Sequence, residues 1–572
     1  MHGCLRLPEP ASRPGRGRSQ GVRRRRPDRL PKRLGDRLIA SPPTLFDEAD
    51  ARDLRVPTSC RRSGRCRECV VEVTRGLDHL GPRTEAERFL RDPFRLACQA
   101  QIADGHADVH FEILRRRLRI LTPPPERVDP ADLHPLATVH DGAVSYGDDP
   151  LGPYRGALLG LAVDLGTTTI VTEVVDLETG DAVAVVAIEN PQRFGGSDVM
   201  SRISYDTGPD HGELRRAVRK AVNAELEQLY RRRELDRRAV VEAVVVGNST
   251  MRDLFFALDV TSIGERPYRS LTEHALRAGE RETTAVETRA YELGIRMHPQ
   301  GRVVGPPLLA SHVGSDMAAD LVALGVDPDG DEVVMVVDIG TNTEVTVAAD
   351  GRLVTASCPA GPAFEGGLVS WAMQGAEGAI ERARRLPDGS FDLQVIGGGE
   401  PEGICGSGLI DVLAELRRTD EMTPLGVFAG KAREVTVDPR RGITLSRADA
   451  SQLAQAKAAN TAGQWIVLRS LGLEPADVDR LFLVGGFANH VDVDNAVAIG
   501  FLPPIPRERV TKAGNASVRG ARRLLLDTRA RRRLEELVRR VEHVELETTP
   551  DFFDIFVEGC QFKPMPARLT NP

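Results

Sequence analysis

AVDLGTTTIVTEVVD at residues 162–176 and VVDIGTNTEVTVAAD at residues 336–350 share one plan: an apolar run, an Asp-x-Gly-Thr turn, and a second β-rich run. Superposing them places Asp164 on Asp338, Gly166 on Gly340, Thr167 on Thr341 and Thr169 on Thr343. The duplication predicts two structurally similar halves, and apolar strand-like runs alternating with helical segments from residue 157 onward predict an α/β body. In such a turn glycine permits the tight bend and lets backbone N–H groups and Thr hydroxyls approach phosphate oxygens, while the Asp carboxylate can hold Mg²⁺ through water. One copy alone is a weak signal, because an ordinary β-turn looks the same. A third element, LFLVGGFANHVDVDNAVAIG at 481–500, reads as strand, Gly485-Gly486 turn and helix, a geometry suited to close contact with a nucleoside. Neither the P-loop pattern nor a strand-linked G-x-G-x-x-G occurs. The candidate catalytic residues are therefore Asp164 and Asp338. The candidate ATP-binding residues are Gly166, Thr167, Thr168, Gly340, Thr341, Asn342, Gly485 and Gly486.

Cys60, Cys66, Cys69 and Cys98 are spaced C-x5-C-x2-C-x28-C. Three thiolates on one loop and a fourth from a distant segment suit a [2Fe–2S] cluster, close to the known C-x4-C-x2-C…C spacing. Structural zinc competes, since it also takes four cysteines, although usually as two short pairs, and unligated thiols are a third reading. Residues 45–56 read as a short amphipathic helix before the first cysteine, CVVEVTRG at 69–76 as a strand ending in a turn, and RLACQAQI at 95–102 as a second strand that carries the last ligand. Arg61, Arg62, Arg65 and Arg67 crowd positive charge around this anionic centre, which should raise its potential and attract an acidic partner.

A chain of 572 residues suits two to four domains. Aromatic content of 4% leaves little for base stacking, so nucleic acid is not an expected partner. Residues 1–40 carry an excess of Arg over acidic residues, leaving the body acidic; their Pro- and Gly-rich composition predicts a disordered tail, or a start site placed too far upstream. No run is long and apolar enough to span a membrane, and no apolar stretch succeeds the basic segment as a secretory signal requires, so a cytoplasmic protein with reduced thiols and no membrane partner is expected. The expected domains are the tail at 1–40, an iron–sulfur domain at 41–114, a linker or short middle segment at 115–156 that includes the Pro-rich TPPPERVDP, and a two-lobed ATPase at 157–565.

Residues 40–114 resemble the plant-type and adrenodoxin-type ferredoxins, which implies an N-terminal β-grasp fold. The two Asp-x-Gly-Thr turns and the Gly485-Gly486 element, in that order, resemble the phosphate-1, phosphate-2 and adenosine motifs of the actin, acetate-kinase and sugar-kinase (ASKHA) superfamily. Joined in one chain, they look like the reductive activators of corrinoid proteins over residues 45–565. ENPQRFGGSDVMSRI at 189–203, GNSTM at 247–251, HVGSDM at 312–317, CPAGPAFEGG at 358–367 and GICGSGLID at 403–411 are typical of that family. The resemblance implies an α/β fold in which a ferredoxin-like domain precedes a two-lobed actin-like ATPase. It implies ATP-dependent passage of an electron from a [2Fe–2S] cluster to the Co(II) corrinoid of a corrinoid protein or corrinoid methyltransferase, restoring Co(I). An external electron donor is then required, and a homodimer through the ATPase domain is open. Rival readings are an ATPase activator of a radical dehydratase, a small-molecule kinase with a degenerate metal appendage, and a non-catalytic redox sensor. Cys358 and Cys405 read as buried apolar residues, and His312 and His490 as packing or surface residues.

Overall fold

The computed structural model describes residues 42–566 and 568, apart from residues 53, 104–107, 115–132, 368 and 487. The expected tail at 1–40 and the first part of the expected linker lie outside the described residues.

The helix Leu45–Ala51 begins at Thr44, where the Thr44 hydroxyl and the Asp47 carboxylate each accept the other's backbone N–H in a capping box. It stops short of the expected residue 56. The backbone N–H of Leu54 bonds back to Ala49, leaving Leu54 exposed, while Val56 turns inward. Val70–Arg75 is the central strand of a three-stranded antiparallel sheet, flanked by Phe94–Leu96 and His110–Ile113. Cys98 does not lie on a strand as expected; it sits in the turn after Leu96, where the N–H groups of Gln99 and Ala100 both bond to the Leu96 carbonyl. Within the expected linker or short middle segment, Ala137–His140, Ala143–Tyr146 and Asp149–Pro153 form a small antiparallel sheet. This sheet is tied down where the Tyr146 hydroxyl donates to buried Glu242, which also pairs with Arg531.

Two six-stranded sheets share one four-stranded arrangement. In the first, Leu159–Leu165, Thr169–Asp176 and Ala182–Glu189 form an antiparallel meander, and Val240–Val246 adds parallel to the first strand. In the second, Val334–Ile339, Thr343–Ala349 and Arg352–Cys358 form the same meander, and Arg480–Val484 adds parallel to its first strand. Every residue of Val240–Val246 is buried, as expected of a strand covered on both faces. The helices Ser315–Leu324 and Ala516–Leu526 pack closely at Gly520, where a Cβ would lie 1.9 Å from the Ala319 carbonyl oxygen. The apolar side chains of residues 45–114 belong to the same continuous core as those of the first six-stranded sheet. Among the described residues no helix is long and apolar enough to cross a membrane.

Candidate functional site

Both Asp-x-Gly-Thr turns sit at the ends of equivalent strand pairs and line one cavity, together with Gly485 and Gly486. All ten residues expected at a nucleotide site line it: Asp164, Gly166, Thr167, Thr168, Asp338, Gly340, Thr341, Asn342, Gly485 and Gly486. The Thr168 and Thr341 hydroxyls meet at 2.9 Å, and both reach Oε2 of Glu365. The two turns are thus bridged by a carboxylate from CPAGPAFEGG.

The parallel strands bring in a pair of glycines that the sequence pattern does not match to each other. Val246 pairs with Asp164 and Val484 with Asp338, so Gly247 and Gly485 come next at equivalent places. A Cβ on Gly247 would lie 2.7 Å from the Leu165 carbonyl oxygen, and one on Gly485 would lie 2.3 Å from that of Ile339. Only glycine lets each loop pass so close to the turn beside it. The GNSTM stretch is therefore the first half's counterpart of the Gly485-Gly486 turn. Its Asn248 caps the helix Ser249–Phe256 through the Met251 N–H and donates to the Thr167 hydroxyl at 3.0 Å.

The cavity is acidic. Asp316, Glu344 and Glu365 join Asp164 and Asp338 in its wall, and among the described lining residues there is no Lys or Arg. Burial pushes Asp164 up to about 7, against a hydrogen bond donated by Asn515 at 2.6 Å, and pushes Asp316 up to about 6. Burial and the facing carboxylates hold Asp338 and Glu344 well above the ordinary carboxylate range, and burial likewise raises Glu365. A wall of this kind is unfavourable alone and becomes favourable with a divalent cation, whose charge reverses the local balance. Asp164 and Asp338, one from each turn, line the same cavity as Thr167, Thr168 and Thr341. Asp316, Glu365, Asn248 and Asn515 are not singled out by the sequence. The first three lie in the family-like stretches HVGSDM, CPAGPAFEGG and GNSTM, whereas nothing local marks Asn515. His490 lines the cavity and pairs with Glu381 at 3.0 Å; His312 packs on the Tyr268 ring instead. Cys405 also lines the cavity, its thiol donating to the Ile380 carbonyl, and Cys358 is buried against Gly463.

The four clustered cysteines converge as two pairs. The Cys60 thiol is hydrogen-bonded by Ser63 and Cys66, which outweighs burial and brings it down to about 6. The Cys69 thiol donates to Cys98 Sγ at 3.3 Å, pulling Cys98 down to about 6 and pushing Cys69 up. Among the described residues no three metal-capable side chains crowd one point. Three of the four thiols come from one loop and the fourth from the turn after Leu96, the arrangement that a [2Fe–2S] site takes. The Gly64 N–H faces Cys98, and a Cβ at Gly64, whose φ is +75°, would lie 2.9 Å from Ala86, so the loop is a close cradle over the fourth ligand. These features fit a [2Fe–2S] cluster held by Cys60, Cys66, Cys69 and Cys98.

Known families match most of the chain. Residues 39–103 match the 2Fe-2S iron-sulfur cluster binding domain, 159–329 the RACo middle region, and 332–571 the C-terminal domain of RACo, the ASKHA domain. The corrinoid activation enzyme RamQ of Eubacterium limosum is 28% identical over 432 residues, covering 71% of this chain and 70% of the relative. The [Co(II) methylated amine-specific corrinoid protein] reductase of Methanosarcina barkeri is 23% identical over 441 residues, covering 70% and 76%. A solved reductive activator for corrinoid, iron–sulfur protein superposes with a TM-score of 0.67 at 28% identity, covering 91% of this chain and 96% of that one.

Proposed function

The chain belongs to the family of reductive activators of corrinoid proteins, and from that premise we propose that it spends ATP to return the Co(II) corrinoid of a partner protein to Co(I). The observation that carries this reading is the union, in one body, of a four-thiol site and a cavity where the two Asp-x-Gly-Thr turns meet. The cluster, when bound, supplies a one-electron relay, and the thiols of Cys60, Cys66, Cys69 and Cys98 hold it.

Backbone N–H groups of the two Gly-Thr turns and the Thr167, Thr168 and Thr341 hydroxyls bind the phosphates, while the Gly485-Gly486 turn admits the nucleoside. Asp164 and Asp338 hold the cation, and the absence of Lys or Arg among the described lining residues makes that cation the main counter-charge for the triphosphate. The reduction runs uphill from ordinary plant-type ferredoxin potentials, and each 59 mV of a one-electron gap costs about tenfold in equilibrium. ATP offsets that only by favouring a complex in which the partner's cobalt has a different potential or coordination. An external donor refills the relay, and thiols that must stay reduced to hold a cluster suit a reducing cytoplasm.

The test mixes reduced protein, ATP, Mg²⁺ and a candidate Co(II) corrinoid protein while the Co(I) absorption band is monitored. Co(I) is expected only when ATP is present. Asp338→Asn is expected to lower ATP turnover by about 100-fold and to abolish Co(I) accumulation while leaving the visible spectrum of the cluster intact. Full Co(I) formation without nucleotide would sink the proposal.

A further inference from the structure

ENPQRFGGSDVMSRI is the one family-like stretch that contributes no described residue to the nucleotide cavity, yet it touches both sites. Asn190 is bonded to the first phosphate turn twice: its N–H donates to the Thr168 carbonyl at 2.7 Å, and its side-chain amide donates to the Gly166 carbonyl at 2.8 Å. The Asn190 side-chain oxygen accepts the Gln192 N–H and caps the short helix Pro191–Gly195, so this helix is held rigidly to that turn.

The far end of the helix grips the iron–sulfur domain. Arg193 forms an ion pair at 2.6 Å with Glu72 of the strand that starts directly after Cys69, although its N–H is not aligned as a hydrogen-bond donor. Phe194 meets Phe89 edge-to-face at 5.6 Å and Tyr205 at the same distance, and the Tyr205 hydroxyl donates to the Phe89 carbonyl at 2.5 Å. Gly195 and Gly196 allow this fit. A Cβ at Gly195 would lie 2.5 Å from Leu214, and one at Gly196, whose φ is +136°, 2.3 Å from Ser201. Alongside, Lys220 donates to the carbonyl of the ligand Cys66, and Arg67, next to that ligand, pairs with Glu213 and lies over Phe89.

Resting on the corrinoid-activating function, we propose that Asn190–Gly195 couples the two sites. The segment transmits nucleotide occupancy of the first phosphate turn to the iron–sulfur domain, with Arg193 and Phe194 as positioning residues. This short segment spans the two, with buried or paired contacts at both ends, so the Gly166–Thr168 turn cannot shift without moving Asn190 and the helix it carries. Coupling between sites is reciprocal: whatever the nucleotide does to the iron–sulfur domain, loosening that domain's grip must return to nucleotide affinity by the same factor.

Amide hydrogen exchange across Val70–Arg75 tests this in the full chain, with and without Mg²⁺ and a non-hydrolysable ATP analogue, alongside the rate at which a small-molecule acceptor oxidises the reduced protein. Nucleotide is expected to change both in the native protein. Arg193→Ala and Phe194→Ala should each cut both changes to less than half while ATP hydrolysis and the cluster spectrum persist. The reversed pair Arg193→Glu with Glu72→Arg should restore them. A native protein whose Val70–Arg75 exchange ignores nucleotide, or variants that keep the full response, would overturn the link. Corrinoid reduction that persists without any such response would leave the function standing and remove only the coupling.

Discussion

Six carboxylates lie at or beside one cavity, Asp320 and Glu344 buried and Asp164, Asp316, Asp338 and Glu365 half-buried, each raised above the ordinary carboxylate range. Their unfolded forms ionise near 3.8 for Asp, whereas folded Asp316 titrates near about 6 and folded Asp164 near about 7. A raised acid binds its proton more tightly when folded, so these two groups take stability away from the cation-free protein as pH rises from about 4 through about 7. On the proposed function a divalent cation in this acidic wall displaces such protons, so affinity for Mg²⁺ with nucleotide should climb between about pH 5.5 and about pH 8, by up to tenfold per pH unit for each proton released. Calorimetry across that range checks it, and a flat profile contradicts it. Glu365 gives a second residue-level expectation, because its carboxylate accepts from Thr168 and Thr341, the hydroxyls proposed above to bind phosphate. Glu365→Gln keeps an acceptor and removes the charge, so nucleotide should bind roughly tenfold more tightly, an effect of about 1.4 kcal/mol. Weaker binding would mean that Glu365 assists the phosphates rather than competing with them.

Among the elements, the crossing of Ser315–Leu324 with Ala516–Leu526 bears most directly on the cavity. Both helices begin at its wall: Asp316 and Ser517 line it, and the Ser517 hydroxyl donates to Asp320 at 2.9 Å. Since even a methyl group at Gly520 would lie 1.9 Å from a backbone oxygen that cannot turn aside, Gly520→Ala must push the helices apart. The expected cost is about 1–3 kcal/mol by denaturant unfolding, with a parallel loss of nucleotide affinity. An unchanged unfolding midpoint would show that the crossing relaxes elsewhere. The elements were unevenly legible in sequence. The two meanders were readable because each repeats one local pattern of apolar run, turn and apolar run. Three features were not: the early end of the first helix at Ala51, the position of Cys98 in a turn, and the small sheet at 137–153 within an expected linker or short middle segment. The first two are local backbone turns, closed by Leu54 N–H on Ala49 and by Gln99 and Ala100 N–H on Leu96, that no apolar period announces, and the small sheet is tied down by Glu242, 96 positions from Tyr146.

For the molecule as a whole, the hydroxyl contact between Thr168 and Thr341 joins the two turns, so on the proposed function a nucleotide is a shared ligand of both sheets. A ligand at about 100 times its Kd stabilises the state that binds it by about 2.7 kcal/mol. That gain should appear as slowed amide exchange in Leu159–Leu165 and in Val334–Ile339 together. Thr168→Ala, which alters only the first turn, should then weaken nucleotide protection in both strands. Protection lost in one strand alone would show that the two sheets bind nucleotide independently.

Local patterns are what the amino-acid sequence determined by itself. A turn of four residues needs its Gly and Thr at fixed offsets, and three cluster ligands fit on one loop, so both chemistries were visible within short windows. The tertiary structure alone decided which distant groups complete them. Asn515 reaches Asp164 across 351 positions and Glu365 reaches Thr168 across 197, while the loops after Val246 and Val484 become equivalent only once each strand has paired with its Asp-bearing neighbour. The physical reason is that hydrogen bonds and charge–charge interactions act over a few ångströms of space, and nothing in sequence separation records which side chains folding will bring within that range.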